Sequence, residues 1–341
     1  MKIFLYIIIA LIFVTPTNKT KLILNHNYSQ SARFQFDQSQ SILFLLNSVR
    51  WGGIEVLDTN NLESLNHFQL ESHGPARFGI INAWTIHRDN IYIYDNMVRN
   101  LNVYNINNGK FITSIDTEFI KLFNVDGLVF VDDDILLLTG TTMDNYHNKL
   151  IGEKYNNIYL IDLKSKNILY EAHIFPNKLY NRIINKGVEF GSNSRFSIIK
   201  NKIQTFTLYS NLGNEIFEVS INNNAIEIVN KVELQEKYFS YSDFKSFHDD
   251  QFGVDFENYI SNRDRLAQVL IGDDNVICII RNLKQEYDRL LVLDKNSKVL
   301  FDKKRSLFGY HVFDYNNFTI RNYTIINDGE NDYIYIEDIK I

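Results

Sequence analysis

The sequence predicts an all-β fold: six antiparallel meanders closed into a ring by the chain termini, a six-bladed β-propeller, with seven blades as the alternative count. Three observations predict it. Only seven alanines stand against 44 isoleucines, 25 phenylalanines and 20 tyrosines in 341 residues, a balance that favours strands over helices. The 42 asparagines suit hairpin tips, which need left-handed or Asx-turn geometry. Above all, one strand-turn-strand pattern recurs five times.

The repeats run Ile54 to Gln69, Leu101 to Asp116, Ile158 to His173, Ile216 to Lys231 and Leu290 to Arg305. In each, a short β-rich run ends on a polar residue, a few turn-formers follow, and a second β-rich run begins. Aligned on Asp58, Asn105, Asp162, Ser220 and Asp294, they lie 47, 57, 58 and 74 residues apart, which is blade-sized with loop insertions. A further β-rich run precedes each hairpin: Ile42 to Val49, Ile91 to Val98, Ile135 to Thr142, Ile203 to Ser210 and Val276 to Leu283. Ala83 to His87 and Gly127 to Val131 read as an additional upstream strand. A lone meander leaves a face bare, whereas meanders packed face to face around an axis bury both.

The turns agree with this pattern. Asn107-Asn108-Gly109-Lys110 puts Gly109 where a hairpin needs positive φ. Asn222-Asn223-Asn224 and Lys295-Asn296-Ser297-Lys298 offer related chemistry, and the recurring Asp is expected to cap its own turn. After Arg305, the runs Tyr310 to Phe313, Phe318 to Ile325 and Tyr333 to Ile341 provide three strands of a sixth blade. The fourth is expected from the other end of the chain, from Lys21 to Leu24 or Arg33 to Phe36, which removes an open edge. A seventh blade has room only between Ser220 and Asp294. There, Gln235 to Leu266 is the least regular stretch and reads as an excursion over one face with a helical turn.

Composition narrows the function classes. The 35 basic and 41 acidic residues are interspersed at net −6, and no basic run tracks a phosphate backbone, so no nucleic-acid partner is expected. The single cysteine rules out an internal disulfide and a cysteine zinc cage; inside Val276-Ile277-Cys278-Ile279-Ile280 it reads as a small buried hydrophobe. The eight histidines show no metal-ligand spacing. Asp132-Asp133-Asp134, Asp249-Asp250 and Asp273-Asp274 read as hairpin tips without the pattern of a calcium loop. No cofactor is therefore evident, and calcium has no motif behind it. Nucleophile-elbow, phosphate-loop and dinucleotide motifs do not occur.

The N-terminus carries a targeting signal. Lys2 precedes twelve apolar residues, Ile3 to Val14, fewer than the roughly 20 that a spanning helix needs. Residues 1–20 thus read as a signal peptide, or alternatively an uncleaved anchor, and 21–341 as the propeller domain. The expected location is exported, either periplasmic or at the cell surface, with membrane contact only through an uncleaved N-terminus.

After the first hairpin comes Glu71-Ser72-His73-Gly74-Pro75-Ala76-Arg77-Phe78-Gly79. Its Gly74-Pro75 connector, followed by Ile91-Tyr92-Ile93-Tyr94-Asp95, Leu101-Asn102-Val103-Tyr104 and Gly109-Lys110, resembles secreted six-bladed TolB-like propeller proteins of bacteria. Within that group it looks most like a lipoprotein-type branch of unknown function. The resemblance covers residues 40–341 as blade rhythm and is sharp from about 54 to 116. It implies fold and export and carries over no catalytic residue. The missing lipid-accepting cysteine departs from the branch.

The leading functional expectation is a non-catalytic exported module that binds a peptide, a glycan or a partner protein across one mouth of the ring. The alternative is a metal-dependent hydrolase or lactonase with its site in the central channel, where inner-strand Asp, Asn, Glu and His side chains converge without a linear motif. A third reading is an assembly component. The candidate binding residues are His73 and Arg77 on the Gly-Pro loop, with Tyr241 and His248 on the excursion. Arg77 offers a donor fork, Tyr241 a stacking face and the histidines pH-sensitive donors.

Overall fold

The computed structural model describes residues 19–24, 32–37, 41–47, 53–61, 63–71, 81–96, 98–120, 122–142, 158–172, 196–202, 204–211, 213–239, 264–272, 274–282, 285–306, 309–314, 319–327 and 330–340. After β1 (Lys19–Ile23), five meanders follow in chain order. Blade 1 holds β2 (Ala32–Asp37), β3 (Ile42–Asn47), β4 (Gly53–Asp58) and β5 (Glu63–Gln69). Blade 2 holds β6 (Ile81–His87), β7 (Asn90–Asp95), β8 (Asn100–Asn105) and β9 (Phe111–Asp116). Blade 3 holds β10 (Leu122–Phe130), β11 (Ile135–Thr142), β12 (Ile158–Asp162) and β13 (Asn167–Ala172). Blade 4 holds β14 (Phe196–Lys202), β15 (Thr205–Ser210), β16 (Glu215–Asn222) and β17 (Ala225–Glu233). Blade 5 holds β18 (Arg265–Ile271), β19 (Asn275–Asn282), β20 (Tyr287–Asp294) and β21 (Val299–Arg305). Blade 6 is β22 (Tyr310–Asp314), β23 (Thr319–Asn327), β24 (Asp332–Lys340) and, last in the sheet, β1.

The blades form a ring because each sheet buries both faces. Among the described residues, six apolar clusters occur, one at each seam. Phe44, Ile54 and Val56 meet Ile91, Ile93 and Tyr104 between blades 1 and 2, and the next clusters join blades 2 and 3, 3 and 4, 4 and 5, and 5 and 6. Leu43, Leu45 and Leu57 then meet Val312, Tyr323, Ile334 and Ile336 between blades 1 and 6. Cys278 is fully buried in the seam between blades 4 and 5, where loss of water raises its thiol pKa. The seam between blades 5 and 6 also carries charged groups. There Asp288, with no exposed surface, takes both hydrogen bonds of the Arg281 fork at 2.7 Å, and Arg305 pairs with Glu337 at 2.5 Å.

Of the two candidates for closure, the Lys21 to Leu24 segment closes the ring. Lys19 lies opposite Glu337 and Ile23 opposite Tyr333, and the Leu24 amide donates to the Asp332 carbonyl at 2.9 Å. Arg33 to Phe36 instead forms the innermost strand of blade 1, because the short turn at Ser41 lets it pair at once with β3. Arg321 grips Asp338 at 2.6 and 2.9 Å and donates to the Thr59 carbonyl of blade 1. The rings of Phe34 and Tyr310 stack 5.0 Å apart across the same seam. Between Ser220 and Asp294 the described residues add the inner strand β18 and a short 3-10 turn at Glu236–Tyr238, and no seventh blade.

Turn chemistry follows the residues. Asp58 Oδ1 accepts the amides of Asn60 and Asn61, Asp162 Oδ1 those of Lys164 and Ser165, and Asp294 Oδ1 those of Asn296 and Lys298. Asn105 accepts from Asn107 in the same way. Ser220 is the exception, since its strand continues to Asn222 and the turn is made by Asn223 and Asn224 at φ 49° and 61°. Gly109 sits at φ 69°, and an added Cβ there would lie 2.5 Å from the Gln69 carbonyl oxygen. Asp132 to Asp134 form the expected tip between β10 and β11.

One regularity has no counterpart in the sequence reading. In blades 1 to 5 the outermost strand carries one extra residue against its neighbour, at Leu65, Ile112, Leu169, Val229 and Leu300. Four of these, Leu65, Ile112, Val229 and Leu300, are more than half exposed. A bulge bends and twists a strand, which spoils an outer edge as a template for another chain.

Candidate functional site

The six innermost strands, β2, β6, β10, β14, β18 and β22, run in one direction along the axis. Their starts therefore open on one mouth of the ring and their ends on the other. His73 and Arg77 belong to the connector between β5 and β6, and Tyr241 and His248 to that between β17 and β18. All four lie outside the described residues. Each connector leads into an innermost strand, β6 in one case and β18 in the other, whose described starts, Ile81 and Asp264, open on the first mouth. Glu71 is tied to the neighbouring hairpin tip, its amide donating to the Gly109 carbonyl at 2.9 Å and its carboxylate accepting from the Phe111 amide at 3.1 Å.

The described cavity opens at the other mouth. It has a volume of about 1300 Å³ and takes lining residues from all six inner strands, among them Asp37, His87, Phe130, Lys200, Ile271 and Val312. Side chains hold these strands together where backbone ladders cannot, because adjacent blades share no ladder. Gln35 Nε2 donates to Thr85 Oγ1 at 3.2 Å, joining β2 to β6. Lys200 Nζ donates to the Phe130 carbonyl at 3.0 Å, joining β14 to β10. Gln268 imitates a strand neighbour: its Nε2 donates to the His311 carbonyl at 2.6 Å and its Oε1 accepts the His311 amide at 2.9 Å.

Electrostatics at the mouth centre on His87. Its ring lies on Phe130 with centroids 4.3 Å apart, and Nε2 stands 3.4 Å from Asp133 Oδ1, while Arg88 holds the other oxygen. Burial lowers the His87 pKa, Arg88 and Lys200 act in the same direction, and Asp133 opposes them. Burial likewise lowers the pKa of Lys200. His311, 1% exposed, is pushed down to about 3 by burial and by the cations Arg281 and Arg305. Its Nδ1 and the Oε1 of Gln35 are buried without a hydrogen-bond partner among the described residues.

Among the described residues no group of three or more His, Cys, Asp or Glu side chains comes together as a metal set. What the mouth presents is a rigid frame of amide, hydroxyl, imidazole and charged groups above apolar seams. The sequence reading missed Gln35, Thr85, His87, Gln268 and His311. Their signal is faint: single polar residues interrupting runs that otherwise read as buried strands.

Closed on itself, stitched across its inner strands and open at one mouth, this chain is a six-bladed β-propeller. Its fold is similar to that of a member of the DUF4221 family from Bacteroides vulgatus, with a TM-score of 0.63 at 11% identity over 95% of this chain and 97% of that one. It is also similar to a Bacteroides fragilis protein named “Putative exported protein”, with a TM-score of 0.58 at 12% identity over 95% and 96% of the two chains. At such identities the likeness is one of fold. No protein-family model and no curated protein matches the sequence.

Proposed function

We propose that the chain is an exported, non-catalytic propeller of the secreted TolB-like kind, which binds a peptide, glycan or protein partner at a mouth of its ring. The observation that carries the reading is the 1300 Å³ cavity lined by all six inner strands. A cavity on a closed frame keeps its shape, so binding there loses little to ordering. Export is supported by the Lys2 and Ile3 to Val14 signature and agrees with the name of the Bacteroides fragilis neighbour.

The test pairs the chain with a variant, Lys200→Trp, that narrows the cavity from an exposed position. Both are applied to glycan and peptide arrays, and both are checked for an unchanged melting temperature. Binding by the parent that is lost in the variant supports the reading. Equal binding by both places the site at the other mouth, and an absence of binding on both arrays overturns it.

A further inference from the structure

The seam between blades 5 and 6 is held together differently from the other five. Among the described residues its apolar cluster has six buried members, Ile277, Ile279, Leu290 and Val292 from blade 5 with Ile320 and Ile339 from blade 6. The other seams have eight to twelve. Polar contacts span the rest of the seam. Gln268 on β18 grips the backbone of His311 on β22. Arg281 donates to the Gly309 carbonyl at 2.7 Å, the Gly309 amide donates to Asp288 at 3.3 Å, and Arg305 reaches Glu337.

The imidazole of His311 belongs to this layer, and the residue is 1% exposed. Blade 5 places Arg281, Asp288 and Arg305 side by side on successive strands, with Arg265 opposite Arg281 in register. Blade 6 places Asn322 and Glu337 in the same row as His311. The layer thus sets three guanidinium groups against two carboxylates, and both carboxylates are already paired with arginines. A proton added to His311 finds no spare anion and stands near Arg281 and Arg305, in a place where burial makes an unpaired charge costly. The closed seam therefore keeps the imidazole neutral, its pKa pushed down to about 3 by burial and by the two arginines against a bond to the Gly309 backbone. Once the blades part and water enters, the pKa returns towards 6.5, so the open form takes the proton first.

We propose that this seam is an acid-opened joint in the ring, at which protonation of His311 parts blades 5 and 6 while the other seams hold. Leu270 and Ile271 of β18 and His311 and Val312 of β22 also line the mouth cavity, so parting them changes the wall of the cavity.

The test compares two neighbouring positions on β19. Ile279 packs in the seam between blades 5 and 6 and Ile280 in that between blades 4 and 5, both with no exposed surface. Two chains carry Ile279→Cys or Ile280→Cys, each with Cys278→Ala. Each is labelled with a pyridyl disulfide at pH 7 and pH 5, and its rate is divided by that of the same chain unfolded in urea at that pH. A histidine that titrates at 6.5 in the open form and stays neutral in the closed one raises the open population about 25-fold between pH 7 and pH 5, and the Ile279→Cys thiol is expected to show that gain. At pH 5 it should also react roughly tenfold or more faster than the Ile280→Cys thiol, because local opening needs less free energy than unfolding of the ring. Adding His311→Asn is expected to abolish the gain, and adding His87→Asn to leave it. The Gln268 bonds reach the His311 backbone, so the asparagine variant keeps them; melting curves confirm that each chain is folded at both pH values. Equal relative rates at the two positions overturn the proposal, since the whole ring then unfolds together. A rate at Ile279→Cys that ignores pH overturns it too, as does a gain that survives His311→Asn, which assigns the effect to the carboxylates.

Discussion

Deleting residues 332–341 tests whether closure of the ring, rather than packing blade by blade, sets stability. The deletion removes β24, which pairs with β23 on one side and β1 on the other. Ile334, Ile336 and Ile339 are 0%, 3% and 6% exposed, and at about 1.5–3 kcal/mol per buried aliphatic side chain they account for roughly 5–9 kcal/mol. Arg305 also loses the buried Glu337, and stranding one partner of a buried pair costs about 3–5 kcal/mol; Arg321 loses the partly exposed Asp338, which adds little. The sum reaches the whole margin of a typical domain, about 5–15 kcal/mol. The truncated chain is therefore expected to show no cooperative transition in a melt followed by circular dichroism. Ile326→Ala, at a position 40% exposed, is the comparator and should stay within about 0.5 kcal/mol of the parent. A truncated chain that melts cooperatively within about 2 °C of the parent, a loss of only about 1 kcal/mol for a chain of this length, would show that the last strand is peripheral and the argument wrong.

Gly309→Ala should cost about 1–3 kcal/mol in urea unfolding, because the new Cβ would stand 1.8 Å from Asn322 Oδ1; an unchanged midpoint refutes this. His311 has its folded pKa lowered to about 3 from an ordinary 6.5, so the unfolded chain binds the extra proton and stability falls as pH drops below 6.5. His311→Asn should remove about 2 kcal/mol of the parent's loss between pH 7 and pH 5, read from urea midpoints at the two values. Cys278, fully buried with a raised thiol pKa, should resist an aromatic disulfide reagent in the native state and react fully in urea; rapid native labelling would show that the seam between blades 4 and 5 opens. N-terminal sequencing of protein recovered from an extracytoplasmic fraction should place its start at or before Lys19, ahead of the boundary at 20 that the sequence suggests, since removal of Lys19 and Thr20 takes away two of the five pairs between β1 and β24.

The fold was legible because it is written in local chemistry repeated at intervals. Four of the five repeated hairpins carry their own cap, at Asp58, Asn105, Asp162 and Asp294, and third strands hold apolar runs such as Leu290 to Leu293. Such signals need no distant partner to be read. The bulges at Leu65, Ile112, Leu169, Val229 and Leu300 escaped notice because a bulge is a property of pairing between two strands, and one extra residue leaves no composition behind. The site was less legible for a related reason. Gln35 meets Thr85 50 positions along the chain, and Gln268 meets His311 at 43; neither pair exists until the inner strands of adjacent blades stand side by side. The sequence drew attention to the Gly-Pro loop and the aromatic excursion, whose candidate residues lie outside the described residues, whereas the described cavity is lined from the six inner strands.

The position of β1 links the N-terminal segment to folding. Blade 6 is complete only when the residues directly after the apolar N-terminal run lie along β24 and Leu24 reaches the Asp332 carbonyl. Until then the sheet ends on β24, and its outward row of amide and carbonyl groups is an unpaired edge. Blades 1 to 5 protect their outer strands with a bulge. In blade 6 the β24 to β1 pairing runs from Lys19 to Ile23 without a register shift, and Ile23 is 60% exposed. Here the edge is guarded instead by Lys21, whose ammonium sits 3.2 Å from the Tyr333 ring centroid and places charge where another strand would dock. The strand that closes the ring is thus also the strand most exposed to misassembly while the ring is open, so closure and resistance to aggregation depend on the same five residues.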